Sequence, residues 1–261
     1  MEPRFKKQNG IVAILDALGA ATYTDEEVEQ FLKSREIALN SMVPKIADVG
    51  HRIDAKQLEF FTFNDTILIF LKTGETPPSL EEIFAFVGIL RTFLVKSLEN
   101  HILFRGTWAI GTFYADSPSN TVMGQAITDA AAWYDKADWI GIHATPRTSL
   151  IVQRWMEKSS NPRKHLMPGY QIPLKGGAFV NAKAVNWPKI FLMPNATPCK
   201  SGQKPREKLL ELLSAHPVPI GTEGKYANAV KFFDFAIKQI EGPEKTNSQK
   251  TRTQSSPTRH T

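Results

Sequence analysis

The feature that most constrains this chain is an apolar run over residues 10–15 that ends in a carboxylate, Asp16, and continues through small residues to Thr22. Such a run is typical of a buried strand, and an ionised carboxylate at its end is costly to bury unless it meets a cation. The small residues that follow can bring backbone N–H groups close to a phosphate before the next helix begins. The alternative is an ordinary buried strand in which Asp16 caps a turn.

The composition indicates a globular protein with one large domain, or with one domain and an extension. The chain has 261 residues, of which 42% are hydrophobic, and no apolar run reaches the roughly 18 residues of a membrane span. The N-terminal segment lacks the apolar core of a signal peptide, and the single cysteine, Cys199, has no partner for an internal disulfide. We therefore expect a cytoplasmic protein that does not bind a membrane.

The formal net charge of +6 is concentrated at the two ends of the chain. Residues 243–261 carry four lysines and arginines against Glu244, and residues 1–9 carry three against Glu2. A high isoelectric point that arises mostly from the ends indicates basic tails and not a basic face on the folded part. We therefore expect no direct binding of nucleic acid.

Periodicity and turn signals predict alternating strands and helices over the first 157 residues. Capping boxes at Thr24 and Ser79 each predict the start of a helix, and an Asn-Asp pair at 64–65 predicts a hairpin turn. This order indicates an α+β or α/β fold in which helices pack against one sheet. The predicted elements are a strand over 10–16, a helix from 24, a hairpin over 58–71, a helix from 79, a long strand with glycine kinks over 102–114, a helix over 124–134, a strand over 139–143 and a helix over 146–156.

The remaining residues predict an extension and a tail. Strand pieces are expected near 170–174 and 190–193, and helices over 204–215 and 226–240. The second of these helices has a broad apolar surface, which is typical of packing onto the domain or onto a partner chain. From residue 242 onward the chain has no large apolar residue, so a disordered basic tail is expected.

Two carboxylates and one arginine suggest a chemistry. Asp16 ends the first strand, Asp65 lies at the hairpin tip, and Arg105 lies on the long strand. If the strands that carry Asp16 and Asp65 are neighbours, both carboxylates emerge at one edge of the sheet and could hold divalent ions. Two metal ions beside a phosphate-binding turn, with an arginine to stabilise charge, suit phosphoryl or nucleotidyl transfer.

These segments resemble the class III nucleotidyl cyclases over about residues 10–157. Residues 16–22 are similar to the Asp-Ile-x-Gly-Phe-Thr segment of that family, residues 64–70 to its Gly-Asp hairpin, and residues 123–131 to its Trp-Gly-x-x-Val-Asn-x-Ala-Ala helix. The order and spacing of the three segments agree. The resemblance implies a ferredoxin-like or palm core with an antiparallel or mixed sheet over 1–157, a C-terminal extension over 158–241 and the tail over 242–261.

The resemblance also implies a site and a reaction. Asp16 and Asp65 would bind two Mg²⁺ or Mn²⁺ ions, with the Ala17 carbonyl as a further ligand, and Leu18, Gly19 and Ala20 would contact the nucleotide. The ribose 3′-hydroxyl would attack the α-phosphate and pyrophosphate would leave. In the family the site lies between the two subunits of a head-to-tail homodimer.

The base-reading positions depart from the purine-using members of the family. Their lysine is Phe61 here and their aspartate is Thr121. A site built to hydrogen-bond one base rejects another because buried polar groups would be unpaired, so these replacements should change the substrate base or abolish base selection. The strand over 104–114 and the segment over 219–233 look most like the bacterial pyrimidine cyclases of the Pycsar anti-phage system. That likeness implies that UTP or CTP is converted to cyclic UMP or cyclic CMP, which activates a separate effector protein.

A second departure counts against activity. The asparagine and arginine that stabilise the transition state in the family align with Thr128 and Ala132. Arg105 is the candidate to compensate and to contact the nucleotide, and the alternative for it is a salt bridge. Tyr134 and Lys136 are further candidates.

Two other functions are open at this stage. The first is a catalytically degenerate cyclase-like module that binds nucleotide or only dimerises. The second is a different two-metal enzyme on a palm-like sheet, such as a diguanylate cyclase or a polymerase, and the absence of a GGDEF-type signature weakens it. His101, His143 and His165 have no metal-ligand spacing and are expected to be structural.

Overall fold

The computed structural model describes residues 6–20, 23–42, 53–116, 119, 121–159, 162–216 and 218–241. The strands in this part of the chain are β1 (Gln8–Ala17), β2 (Leu58–Phe63), β3 (Thr66–Gly74), β4 (Phe104–Asp116), β5 (Thr121–Met123), β6 (Gly141–Ala144), β7 (Gly169–Pro173) and β8 (Phe179–Lys183). The α-helices are α1 (Asp25–Asn40), α2 (Leu80–Glu99), α3 (Gln125–Ala131), α4 (Pro146–Glu157), α5 (Pro205–Ser214) and α6 (Glu223–Glu241). Short 3₁₀ helices cover Ala55–Gln57, Pro162–Leu166, Lys175–Gly177 and Trp187–Leu192.

One mixed sheet organises the fold. Its strand order is β2-β3-β1-β4-β5, all antiparallel, and β6 pairs in parallel with β4 at the other end of that long strand. The sequence β1-α1-β2-β3-α2-β4 with the order β2-β3-β1-β4 is a ferredoxin-like arrangement. The predicted α+β fold with helices packed on a mixed sheet is therefore confirmed.

Strand β1 is central, which explains its uninterrupted apolar run. Side chains alternate across a strand, and here both faces are covered. Ile11, Ala13 and Leu15 belong to the main core on the side of α2, whereas Val12 and Ile14 belong to a smaller cluster on the side of α3. The next residue on the α3 side, Asp16, is the first polar residue after this apolar run.

Local signals fix both helices of the main core. Thr24 and Ser79 each form the predicted capping box, with their side chains accepting from the backbone N–H of Glu27 and Glu82. These boxes satisfy N–H groups that a helix start leaves without partners.

The C-terminal part of the chain joins the main core through aromatic residues. β7 and β8 form a hairpin, and Tyr170 of β7 stacks on Trp139 with ring centroids 5.9 Å apart. Phe232 and Phe233 of α6 are buried beside Trp139 and Trp187. The boundary predicted at residue 157 stays a prediction, and the predicted disordered tail over 242–261 lies outside the described residues, as does Thr22.

Three details differ from the sequence prediction. Residues 190–193 were expected to form a strand, but residues 190–192 belong to the 3₁₀ helix Trp187–Leu192, which Asn186 caps at its start and Met193 at its end. The partner of β7 is β8. Helix α3 ends at Ala131, before a series of turns. Gly106 and Gly111 do not kink β4, whose pairing with β1 runs without a register shift from Phe104 to Phe113.

A search of the described helices finds none that is both long enough and apolar enough to span a membrane.

Candidate functional site

The end of β1 and the turn before β3 bring the two predicted carboxylates together. Asp16 lies opposite Thr66, the first residue of β3, and Asp65 lies in the turn just before it. The Ala17 N–H donates to the Asp65 carbonyl oxygen over 3.1 Å, which ties β1 to the turn. The neighbour of β1 is thus the second strand of the hairpin, and this pairing places Asp16 and Asp65 at the same end of the sheet.

The turn that carries Asp65 is held by two side chains. Asn64 has the left-handed φ of 53° that a tight turn requires, and its Nδ2 donates to Oδ1 of Asp65 over 3.2 Å. Nη1 of Arg35, from α1, donates to the Asn64 carbonyl oxygen over 3.0 Å. The Asn-Asp pair that predicted the turn therefore also orients the carboxylate.

The cation that meets Asp16 is Arg105 of β4. The two residues are register partners on neighbouring strands, and Nε and Nη2 of Arg105 donate to Oδ2 of Asp16 over 3.1 and 2.9 Å. The exposed fractions are only 11% for the Arg105 side chain and 16% for that of Asp16. The buried Nη1 atom of Arg105 has no hydrogen-bond partner among the described residues. The arginine thus holds the carboxylate and retains one donor for a further group.

Burial dominates the ionisation of Asp16. Desolvation raises the pKa of its carboxyl above the ordinary value, and the hydrogen bond and charge of Arg105 oppose that rise. The negative charges of Asp65 and Asp135 raise the pKa of Asp16 further. A divalent cation between the carboxylates would remove this repulsion.

A cavity of about 450 Å³ opens at this end of the sheet. Residues 16–20 line it together with Asp65, Leu103 and Arg105, so the predicted metal-binding residues and the small-residue turn share one space. The N–H groups of Ala17 and Leu18 donate to the carbonyl oxygens of Asp65 and Leu103. These two donors are used within the fold and are not available to a phosphate.

The far wall of the cavity comes from the C-terminal part of the same chain. No residue of this wall was predicted as a site residue, although the segment over 219–233 resembles pyrimidine cyclases. That likeness was the available signal, and it pointed to the helix whose first turn reaches the cavity. The lining residues of this wall are Lys175, His216, Pro219, Thr222, Lys225 and Tyr226.

The predicted base-reading residues do not line this cavity. Phe61, on β2, packs against the smaller core cluster and meets the ring of Phe70 edge-on, with centroids 5.2 Å apart. Thr121, at the start of β5, exchanges hydrogen bonds with Ser119. Within one chain the structure therefore separates Phe61 and Thr121 from Asp16 and its neighbours.

The other helix candidates fall into two groups. Thr128 and Ala132 are exposed on and just after α3, and Lys136 is exposed and pairs with Asp135 over 3.3 Å. Tyr134 is nearer to the carboxylates, since burial raises its pKa and the charge of Asp16 raises it further. Of these residues Tyr134 is the one with an electrostatic link to the site.

The three histidines left as structural have partners inside the fold. His143 is fully buried beside Trp139, and its Nδ1 lies 2.9 Å from the Ala144 carbonyl oxygen. Burial lowers the pKa of His143 to about 4. His165 contacts Lys189, and the ring of His101 lies beside that of His216.

The residues that line the cavity suit a divalent ion such as Mg²⁺ better than a metal that is coordinated entirely by protein side chains. Among the described residues no group of three or more His, Cys, Asp or Glu side chains is arranged to hold a metal. Mg²⁺ typically takes one or two carboxylates and completes its coordination with water and substrate phosphates. Asp16, Asp65 and the Ala17 carbonyl, on the wall of a cavity that can hold a phosphate chain, match that pattern of ligands.

A scan of the chain against protein-family models gives no match, and neither does a search of curated proteins. Solved structures with a similar arrangement include the adenylyl cyclase CyaB from P. aeruginosa, with 13% identity, a TM-score of 0.42 and coverage of 69% of this chain and 95% of that one. Another is the catalytic core of a rhodopsin-guanylyl cyclase with converted specificity in complex with ATPαS, with 14% identity, a TM-score of 0.40 and coverage of 70% and 98%. A third is the adenylate/guanylate cyclase/hydrolase from Silicibacter pomeroyi, with 16% identity, a TM-score of 0.40 and coverage of 69% and 96%. All three TM-scores lie below 0.5, so the function proposed below rests on the residues of the site.

Proposed function

We propose that the chain is a metal-dependent nucleotidyl cyclase that converts UTP or CTP to cyclic UMP or cyclic CMP and pyrophosphate. The observation that carries the proposal is the placement of Asp16 and Asp65 at one end of the sheet, on the wall of a cavity of about 450 Å³. A cavity of this size lies within the range of small-molecule sites.

Two divalent ions, Mg²⁺ or Mn²⁺, would supply neutralisation of the triphosphate and a lowered pKa of the 3′-hydroxyl. Asp16, Asp65 and the Ala17 carbonyl are the residues that would hold them. Arg105 opposes the rise that burial causes in the pKa of Asp16 and so favours the ionised form of that carboxyl. The turn at Gly19 and Ala20 bounds the space for the phosphates.

The pyrimidine preference and the dimer are proposed together. Phe61 and Thr121 lie outside the cavity of their own chain, so they can read a base only at the site of a second copy. Exposed apolar side chains near them on β2 and β5, Phe63 at 77% and Met123 at 61%, favour such a head-to-tail homodimer. Neither Phe61 nor Thr121 offers the ammonium or carboxylate that reads a purine, which favours uracil or cytosine.

The proposed role is signalling in bacterial anti-phage defence of the Pycsar type. The cyclic pyrimidine nucleotide would be the second messenger, and a separate effector protein would bind it. The support for this role is the resemblance of the segments over 104–114 and 219–233.

One experiment tests the activity. The purified protein is incubated with Mn²⁺ and each of ATP, GTP, CTP and UTP, and the products are identified by mass spectrometry. We expect cyclic UMP or cyclic CMP, lost in Asp16→Asn and Asp65→Asn and retained in Asp234→Asn. Asp234, on α6, is a matched control because its carboxylate forms an exposed pair with Arg206 of α5.

The possible results separate the parts of the proposal. Product from ATP alone would reject the pyrimidine preference and leave the cyclase reaction standing. No product from any nucleotide, in a preparation shown to be dimeric, would reject the cyclase.

A nucleotide-binding module without turnover is the second candidate. Two observations favour this candidate. Thr128 and Ala132 are exposed, and Arg105, the residue expected to compensate for them, is paired with Asp16. Saturable binding of UTP by a dimer that forms no product would support this candidate.

A further inference from the structure

We infer that Lys225 binds the terminal phosphates of the substrate in the site of its own chain, so that the C-terminal extension completes the site in cis. This inference rests on the proposed function for the identity of the substrate. The observation behind it is that the first turn of α6 lines the same cavity as Asp16 and Asp65.

The first turn of α6 is fixed beside the cavity by the residues near Asp138. Nδ2 of Asn228 donates to the Asp138 carbonyl oxygen over 2.7 Å. The backbone of Gly224 lies so close that a Cβ atom there would be 2.8 Å from Oδ2 of Asp138. Lys225 therefore follows a residue that is in contact with the main domain, and its position does not depend on a loose loop.

The Lys225 side chain is partly buried and forms only one long ion pair among the described residues. Its exposed fraction is 13%, and its nearest carboxylate among the described residues is Oδ1 of Asp138, at 3.8 Å from Nζ. That distance is beyond a hydrogen bond, whereas an ammonium has three donors to satisfy. A partly buried lysine on the wall of a cavity, with only a long ion pair to a carboxylate, is suited to an anionic ligand.

The charges around the cavity indicate which anion fits. Three carboxylates line it, and they are balanced by three cations. Arg105 is committed to Asp16, so Lys175 and Lys225 are the cations on the side that faces the metal-binding residues. A triphosphate that lies across the cavity would have metal ions on one side and ammonium groups on the other. The carboxylates are Asp16, Glu27 and Asp65, and the cations are Arg105, Lys175 and Lys225.

The chemical step gives Lys225 a role in addition to binding. The bond from O3′ to the α-phosphorus forms, the bond from that phosphorus to the bridging oxygen of pyrophosphate breaks, and the 3′-hydroxyl proton passes to water. Negative charge grows on the pyrophosphate as it leaves, and an ammonium placed there stabilises that charge.

The first test measures phosphate binding without turnover. Inorganic tripolyphosphate is titrated calorimetrically into the full-length protein and into Lys225→Gln, Lys225→Arg and Lys231→Gln. Lys231 is the matched control because it is exposed on the same helix. Loss of a charge-assisted hydrogen bond should weaken binding about tenfold or more in Lys225→Gln. Lys225→Arg should retain most of the affinity, and Lys231→Gln should match the unaltered protein.

Equal affinity in Lys225→Gln and in the unaltered protein would overturn the inference. If Lys225→Gln does not fold, Lys225→Met keeps the length of the apolar stem and replaces it in the titration. Because tripolyphosphate carries no base and is not cyclised, this test keeps its meaning even if the protein makes no cyclic nucleotide. Lysine-dependent binding without any cyclase activity would reject the proposed function and retain the inference.

The second test distinguishes cis from trans action in an active dimer. The test mixes Asp65→Asn and Lys225→Gln subunits. If Lys225 acts in cis, each site of a mixed dimer takes Asp65 and Lys225 from the same subunit and therefore carries one defect, so mixing restores no activity. Action in trans would give one intact site per mixed dimer and would restore activity, and that result would overturn the assignment to the same chain.

Discussion

Gly106→Ala offers a direct test of how tightly β1 and β4 are paired next to the site. Gly106 follows Arg105 and lies opposite Leu15, and a Cβ atom added to it would be 2.3 Å from the Ile14 carbonyl oxygen. The added atom would also be 2.7 Å from Cδ2 and 3.0 Å from Cα of Leu15. Because two of these three contacts are with backbone, rotation of a side chain cannot relieve the clash.

The expected cost follows from that geometry. Ordinary contacts of a Cβ atom begin near 3.4 Å, so the strands would have to separate by about 1 Å, which stretches the hydrogen bonds between them. Overpacking in a well-packed core costs about 1–3 kcal/mol, and a clash with backbone belongs at the upper end. We expect a loss of about 3 kcal/mol of unfolding free energy and a melting temperature lower by about 6–12 °C.

The assay is urea denaturation followed by circular dichroism, with Gly111→Ala as the matched control on the same strand. A Cβ atom at Gly111 would be 3.4 Å from its nearest neighbour, the backbone nitrogen of Ala126, which is an ordinary contact. We expect Gly111→Ala to change the stability by about 1 kcal/mol or less, since alanine also lowers the entropy of the unfolded chain. Equal stabilities of the two variants, or a Gly106→Ala protein as stable as the unaltered one, would refute the reasoning.

Three further perturbations have expected outcomes. Burial lowers the pKa of His143 from 6.5 to about 4, so the unfolded chain binds a proton before the folded one does as the pH falls. Stability is therefore lost between pH 6.5 and about pH 4, by about 3 kcal/mol in urea titrations, and His143→Gln should flatten this dependence of stability on pH. Arg105→Met removes the cation beside Asp16, so the pKa of that carboxyl rises. The acid limb of the pH profile for cyclic-nucleotide formation should therefore move to higher pH, and a limb at the same pH would contradict this expectation. Arg91 is buried with Nε and Nη1 lacking partners among the described residues, so Arg91→Met should raise the stability by about 1–2 kcal/mol, and a lower melting temperature would contradict that expectation.

The sequence was informative where a local pattern has one physical meaning. The capping boxes at Thr24 and Ser79 define helix starts by bonds within four residues, and the Asn-Asp pair defines the turn in the same way. The apolar run of β1 predicted a buried strand and a cation for Asp16. The structure covers both faces of the strand, and Arg105 is that cation. Each of these predictions depends on neighbours in the chain or on the cost of burying a charge.

The sequence was less informative where distant parts of the chain decide the outcome. The apolar residues over 190–193 look like a strand, but Asn186 caps a 3₁₀ helix there and β8 occupies the place beside β7. Lys225 is far from Asp16 in the chain, and apart from the likeness of the segment over 219–233 no local pattern marks it as a site residue. Its position depends on the contact of Gly224 and Asn228 with Asp138, which is visible only in three dimensions.

The cavity also fixes an order of events during synthesis. Its walls extend from Asp16, near the start of the chain, to Tyr226, near the end of the described residues. Since chains emerge from the ribosome N-terminal end first, the ferredoxin-like core with its two carboxylates can form while the far wall is still untranslated. A nascent or prematurely terminated chain therefore presents acidic residues without the lysine that faces them. If the proposals above hold, only a chain translated as far as α6 can make the signal.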